Sequence, residues 1–166
     1  MKQKDNVWKF FKVKKIYRED GKLYLWRLYI LRTPWFGVML HKIMDDDPDC
    51  LHDHPWSFVS FILKGGYEEI QSYDNKERHF EESHGRKYIE QPHCKTRLFS
   101  KKIKSLSILY RPAKWRHSLK LNTNIKGEKI PCWTLVINNK FERTWGFWDK
   151  KGFIPYFEYQ NKIQCD

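Results

Sequence analysis

Two histidines one residue apart, His52 and His54, stand in the stretch Leu51-His52-Asp53-His54-Pro55-Trp56. On an extended backbone, alternate side chains share a face, so both imidazoles can converge on one point. Imidazole is also the commonest protein ligand for a divalent metal. The chain holds seven histidines, so such a pair can arise by chance, and a solvated loop is the competing reading. A third histidine, His117, follows Pro112 by five residues and opens an alternating apolar run.

The strands that must position these residues are legible from alternation and turn chemistry. Segments 12–17 and 22–33 flank Glu19-Asp20-Gly21, whose Asp-Gly pair supplies the positive φ of a tight hairpin. Thr33-Pro34 ends the second run, because proline removes a ladder donor. Segment 38–44 precedes the acidic loop Asp45-Asp46-Asp47-Pro48-Asp49, which leads into the histidine pair. Segments 57–63 and 67–73 are joined at Lys64-Gly65-Gly66, a second hairpin signal. Further strands are expected at 87–90, 94–100, 106–110, 117–121, 130–138, 146–148 and 153–159, with a turn at 74–77 and a polar loop at 122–129. No segment keeps a sustained helical period, although 6–17 allows a short helix as an alternative. Many short strands separated by turns predict one all-β domain, a sandwich or barrel. Its parts are an arm at 1–11, a barrel at 12–159 and a tail at 160–166.

Together the stretches around His52 and His117 resemble the paired motifs of the cupin superfamily, G-x5-H-x-H-x3–4-E-x6-G and P-x-G-x2-H-x3-N. His52 and His54 match the paired histidines, Gly65 or Gly66 the closing glycine, and Pro112 and His117 the second motif. The chain is similar in particular to small cupin-like proteins carrying L-H-D-H-P-W, a G-G-Y turn, and W-T-L followed by W-G-F. Those last segments match Trp133-Thr134-Leu135 and Trp145-Gly146-Phe147. The resemblance implies a single-domain cupin-type double-stranded β-helix, a jelly-roll barrel, with His52, His54 and His117 as metal ligands. It departs from the motifs where the glutamate should stand, at Phe58 or Val59, and again at Lys114 and Leu121. A three-histidine set implies a divalent metal, Fe(II) by the precedent of cupin thiol dioxygenases, with Zn or Ni also compatible. A carboxylate replacing the missing glutamate is sought among Asp45, Asp46, Asp47 and Asp49; a solvated loop is the plainer account. No catalytic residue is assigned.

Around these ligands, His41, Asp53, Trp56 and Trp115 are candidates for the cavity wall or for supporting the ligands. Asp53 should face away from the two histidines and orient the loop. His41 is either a cavity group or a buried histidine satisfied by a backbone carbonyl. Trp56 and Trp115 suit a cavity rim or ordinary packing. Arg27, Arg111, Lys114, Arg116 and Arg143 are candidates for holding a carboxylate or phosphate, which arginine can do with two parallel hydrogen bonds. Trp145 and Trp148 add aromatic surface near Arg143. His79, His84, His93 and Cys94 carry no assignment.

Composition sets the outer limits. The chain has 166 residues, 17% of them aromatic, enough for a core without metal or disulfide staples. A formal net charge of +12 attracts anions: small phosphorylated or carboxylated molecules, nucleic acid, or acidic surfaces. The basic residues are spread along the chain rather than gathered in a nucleic-acid motif, so nucleic acid is the weaker partner. No run is long and apolar enough to span a membrane, and residues 1–15 lack the apolar centre of a secretory signal. The four scattered cysteines predict free thiols and a cytoplasmic protein. Three functions follow as expectations: a metal-dependent enzyme of oxygenase type on a small anionic substrate, a module that captures a nucleotide or sugar phosphate, and nucleic-acid binding. Edge-strand pairing into a homodimer is expected by analogy of fold.

Overall fold

The computed structural model describes residues 8–18, 20–48, 50–72, 87–89, 98–149 and 152–159. The chain opens with β1 (Lys9–Tyr17) and β2 (Leu23–Arg32), an antiparallel pair turning at Gly21, whose φ of 79° few other residues adopt. Residues 9–11 therefore belong to the sheet rather than to an arm, and 8–17 contain no helix. Strand β3 (Phe36–Ile43) alternates between buried and less buried positions along its whole length, the mark of a strand with one face on a core. The very short β4 (Leu51–His52) carries the first histidine.

Strands β5 (Phe58–Lys64) and β6 (Gly66–Ser72) turn at Gly65. There φ is 87° and an added Cβ would lie 2.7 Å from the Pro131 carbonyl oxygen, so only glycine fits. Then come β7 (Lys87–Ile89), β8 (Leu98–Lys104), β9 (Ile108–Arg111), β10 (His117–Leu121), β11 (Cys132–Asn139), β12 (Gly146–Asp149), β13 (Gly152–Pro155) and the single helical turn α1 (Tyr156–Tyr159). Several of these differ from the sequence expectation for local reasons. Leu106 takes a left-handed φ of 67°, so the strand expected from 106 begins at Ile108. Strand β8 continues to Lys104, past the expected end at 100, because it pairs along all of β6. The strand expected over 153–159 stops at Pro155, which has no amide hydrogen for a ladder, and the chain turns helical. The turn expected at 74–77 lies outside the described residues.

Two sheets result, every pairing antiparallel: β1-β2-β3-β11-β5-β9 and β13-β12-β4-β10-β6-β8-β7. The late strand β11 inserts between β3 and β5, and β10 inserts between β4 and β6. This interleaving of early and late strands makes the all-β, cupin-type jelly roll expected from the sequence. Leu25, Ile43, Ile62, Tyr67, Ile103, Leu119, Leu121 and Cys132 form the largest apolar group of the interior. Tyr29, Met39 and Val136 form a second apolar group, against which Trp56 and Phe58 pack. The inner faces also bury Glu69, Gln71, His117, His41, Thr134 and Ser60. A polar layer this extensive inside a small barrel is a departure from core packing that function must explain.

Cys50 is disulfide-bonded, contrary to the free thiol expected there. Among the described residues Cys132 is free and fully buried, and burial pushes its thiol up to about 11. The cytoplasmic expectation thus loses part of the thiol argument that supported it. No helix among the described residues is long and apolar enough to cross a membrane.

Candidate metal centre

Alternation along the chain decides which side chains enter the interior at residues 52–54. His52 lies opposite His117 in the β10–β4 pairing, and Phe147 of β12 lies opposite His52 on its other side. His54 continues past the strand, its amide bonded to the Ala113 carbonyl at 3.0 Å. Between them Asp53 points the other way and is fully buried. Its carboxylate accepts the Gly146 amide at 2.9 Å and the Trp148 indole N–H at 3.1 Å, and it pairs with Arg143. Asp53 thus ties the stretch that carries the two histidines to β12 and to Arg143.

The three imidazoles form a nearly equilateral triangle. Ring centroids are 5.1 Å apart for His52 and His54, 4.9 Å for His52 and His117, and 5.0 Å for His54 and His117. Imidazoles bonded at ~2.1 Å to one ion have centroids ~4.6 Å apart at right angles and ~5.3 Å apart at tetrahedral angles. The observed triangle falls between these values. The His54 and His117 Nε2 atoms are 2.8 Å apart, a separation that suits a shared proton or a shared cation. One nitrogen from each of the three rings lies within 4.8 Å of the others. His117 is buried while His52 and His54 are half-buried.

The protonation states suit a cation. Burial pushes His52 down to about 4, although Asp47, 3.8 Å from Nδ1, acts in the opposite direction. Burial, then the charges of the other two histidines and of Arg27, hold His54 well below its ordinary value. Neutral imidazoles are the form that ligates. The His52 Nδ1 atom is buried without a hydrogen-bond partner, a polar orphan of the kind that a bound ion or a reoriented ring would relieve. The residues present therefore fit a divalent metal.

Sequence reasoning missed the group that fixes His117. Its Nδ1 donates to Glu69 Oε1 at 2.6 Å, which leaves Nε2 facing the other histidines. Glu69 is fully buried in β6 and also accepts Arg111 Nε at 2.9 Å, Trp115 Nε1 at 3.3 Å and Gln71 Nε2 at 2.5 Å. A second bond from Arg111 Nη2 completes a bidentate pair. Burial works to raise this carboxylate, but the hydrogen bonds and charges of His117 and Arg111 outweigh it and keep Glu69 ionised far below the ordinary range. Among the described residues the acidic loop does not replace the missing motif glutamate. Asp47 accepts the Leu119 amide at 2.7 Å and the Tyr24 hydroxyl, Asp46 accepts the Leu121 amide, and Asp45 pairs with Arg18 and Lys129. Asp49 lies outside the described residues.

The other candidates separate by location. Arg111 is committed to Glu69 and stacks on Trp115, and Arg143 is committed to Asp53. The Arg116 guanidinium lies 3.4 Å over the Trp148 ring, on the far side of the sheet from His117, and Lys114 is exposed. Trp56 packs beside Tyr29, Met39 and Val136, and Arg32 covers it. Trp145 stacks on Tyr156. Arg27 and His41 face each other across β2 and β3 on the inner side, and Arg27 Nε donates to His41 Nε2 at 2.9 Å. His79, His84, His93 and Cys94 lie outside the described residues.

Comparison with known proteins agrees with the architecture and goes no further. No protein-family model matches the chain, and no curated protein matches it in sequence. Among solved structures, the polyketide cyclase RemF from Streptomyces resistomycificus is similar over 92% of this chain and 89% of its own, with 14% identity and a TM-score of 0.51. At that identity the likeness concerns fold alone. A structure of Fe(II) HppE in complex with substrate covers 76% of this chain at 12% identity and TM-score 0.49, and the chain spans only 55% of that protein. KdgF from Halomonas sp. is similar over 80% of this chain and 95% of its own, at 10% identity and TM-score 0.46.

Proposed function

We propose that this chain is a metal-dependent cupin enzyme acting on a small anionic molecule, with His52, His54 and His117 as the ligands of one divalent ion. Fe(II) is the favoured ion and an oxygenase-type reaction the favoured chemistry, with zinc or nickel as the alternatives the donor set accepts. The observation that carries this reading is the near-equilateral triangle of imidazoles, with Glu69 accepting from His117 Nδ1 so that Nε2 faces the other two rings. When bound, such an ion supplies Lewis acidity and, if iron, one-electron chemistry toward dioxygen.

The chain's own residues supply the rest. Among the described residues no carboxylate belongs to the triangle, so a bound cation keeps its charge and draws an anionic ligand, as the basic chain as a whole does. Glu69 offsets part of that charge through His117 while Arg111 holds the carboxylate in place. His117 is buried, while His52 and His54 are half-buried.

The test is metal analysis of protein purified without chelators, beside His117→Ala. Stoichiometric divalent metal is expected in the wild type and a large loss in the variant, with β-sheet circular dichroism retained by both. Far less than stoichiometric metal in the wild type, with ligand binding unaltered in His117→Ala, overturns the reading. A module that captures a nucleotide or sugar phosphate without chemistry is the competing reading, supported by the lack of a carboxylate ligand. Affinity for such a compound retained in EDTA, with no turnover, favours capture.

A further inference from the structure

We propose that Arg27, Tyr29 and His41 form a carboxylate-binding clamp on the wall formed by β2 and β3, which makes the ligand a small carboxylate; this specificity rests on the metal-centre reading above. The argument is an imbalance of donors and acceptors. Arg27 Nε donates to His41 Nε2 at 2.9 Å, so that ring nitrogen carries no hydrogen and the hydrogen sits on Nδ1. Arg27 Nη1 donates to the Tyr29 hydroxyl at a long 3.4 Å, which leaves the phenolic hydrogen itself without an acceptor among the described residues. The outer edge of the guanidinium, Nη1 and Nη2, finds no carboxylate among the described residues. Arg18, Arg111 and Arg143 differ in this respect, since each is paired with an aspartate or glutamate.

These donors belong to the interior. Arg27 stands opposite His41, between the Leu25–Ile43 and Tyr29–Met39 pairs, all with side chains on the inner face. Tyr29 and His41 are buried and Arg27 is half-buried. Burial raises the Tyr29 phenol, but the Arg27 charge and hydrogen bond outweigh it and bring the hydroxyl below its ordinary value, which makes it a better donor. Phe58 joins the clamp to the histidine triangle, since its ring lies 4.7 Å from that of His54 and packs against the Tyr29, Met39 and Val136 group. A half-buried guanidinium edge beside a phenol in need of an acceptor is matched by a group that only accepts. The two parallel N–H vectors of that edge fit the planar fork of a carboxylate. The bond to His41 takes the Arg27 Nε–H, which leaves the Nη1 and Nη2 edge for a ligand.

The test titrates acetate, with acetamide as the neutral isostere, into EDTA-treated and Co(II)-loaded protein, following arginine Nε–H resonances by NMR. Saturable acetate binding and little acetamide binding are expected. Arg27→Gln should weaken acetate by roughly tenfold or more in both forms, as loss of a charge-assisted fork does, with Co(II) stoichiometry unchanged. Arg27→Lys keeps the charge without the fork and should also weaken acetate; it serves if Arg27→Gln does not fold. Acetamide binding as tight as acetate, or acetate affinity unchanged in either variant, overturns the clamp. Wild-type protein that takes up no Co(II) overturns the metal reading alone, and the EDTA-treated titration then decides the clamp by itself.

Discussion

Glu69 and His117 lie 48 residues apart in sequence and meet through a 2.6 Å hydrogen bond inside the barrel. The bond sets which nitrogen of His117 faces the other histidines, and carboxylates in this position raise ligand basicity. Glu69→Gln keeps the shape but can present its amide to Nδ1, which undoes the tautomer control. Metal affinity measured by chelator competition should fall by about 10–100-fold. Because the substitution also strands the Arg111 guanidinium, the Glu69→Gln/Arg111→Met double variant is the cleaner partner. Unchanged affinity in both would show that His117 needs no fixed tautomer.

Asp53 contributes to folding rather than to the ion. Its fully buried carboxylate accepts from the Gly146 amide, the Trp148 indole and Arg143, so Asp53→Ala strands three donors at once. A loss of about 3–5 kcal/mol is expected, as when a buried charged pair is broken. Asp53→Asn, which keeps one accepting oxygen, should lose less. Urea midpoints with unchanged slopes provide the measurement.

The two hairpin glycines separate backbone strain from steric conflict. Gly21 and Gly65 have φ values of 79° and 87°, but an added Cβ meets nothing within 4 Å at Gly21 and meets the Pro131 carbonyl oxygen at 2.7 Å at Gly65. Gly21→Ala should therefore cost on the order of 1 kcal/mol and Gly65→Ala clearly more. Equal midpoints for the two variants would contradict the clash.

Much of this was legible in the chain, for reasons that vary by residue. Alternation alone sends His52 and His54 one way and Asp53 the other, and it likewise places Arg27 and Tyr29 together on the Leu25 face. That His117 lies opposite His52 depends on a register between strands far apart in sequence, which only the motif resemblance could suggest. Glu69 escaped because β6 is buried on nearly every residue, so the pattern Gly66-Tyr67-Glu68-Glu69-Ile70 does not distinguish inside from outside. The acidic loop misled for the opposite reason: its carboxylates are conspicuous in sequence, but they accept backbone amides from β10 and pair with Arg18 and Lys129.

His41 makes the stability of metal-free protein depend on pH. Burial, and then the Arg27 charge, hold its pKa well below the ordinary value of 6.5, and Nε2 must stay unprotonated to accept from Arg27. The unfolded chain binds the proton near that ordinary value and the folded chain does not, so between the two pKa values the unfolded state holds more protons. Stability is therefore intact above the unfolded value and declines as pH falls toward the depressed folded value, by up to ~1.4 kcal/mol per pH unit for each such proton. His52, brought down to about 4, and His54 act in the same direction. In EDTA, the urea midpoint should drop between about pH 7 and about pH 5. His41→Gln, whose amide oxygen can still accept from Arg27, should flatten that drop by about one proton's share. A slope unchanged by the substitution would mean that His41 titrates alike in both states, and the Arg27–His41 bond would then contribute nothing to the pH dependence of folding.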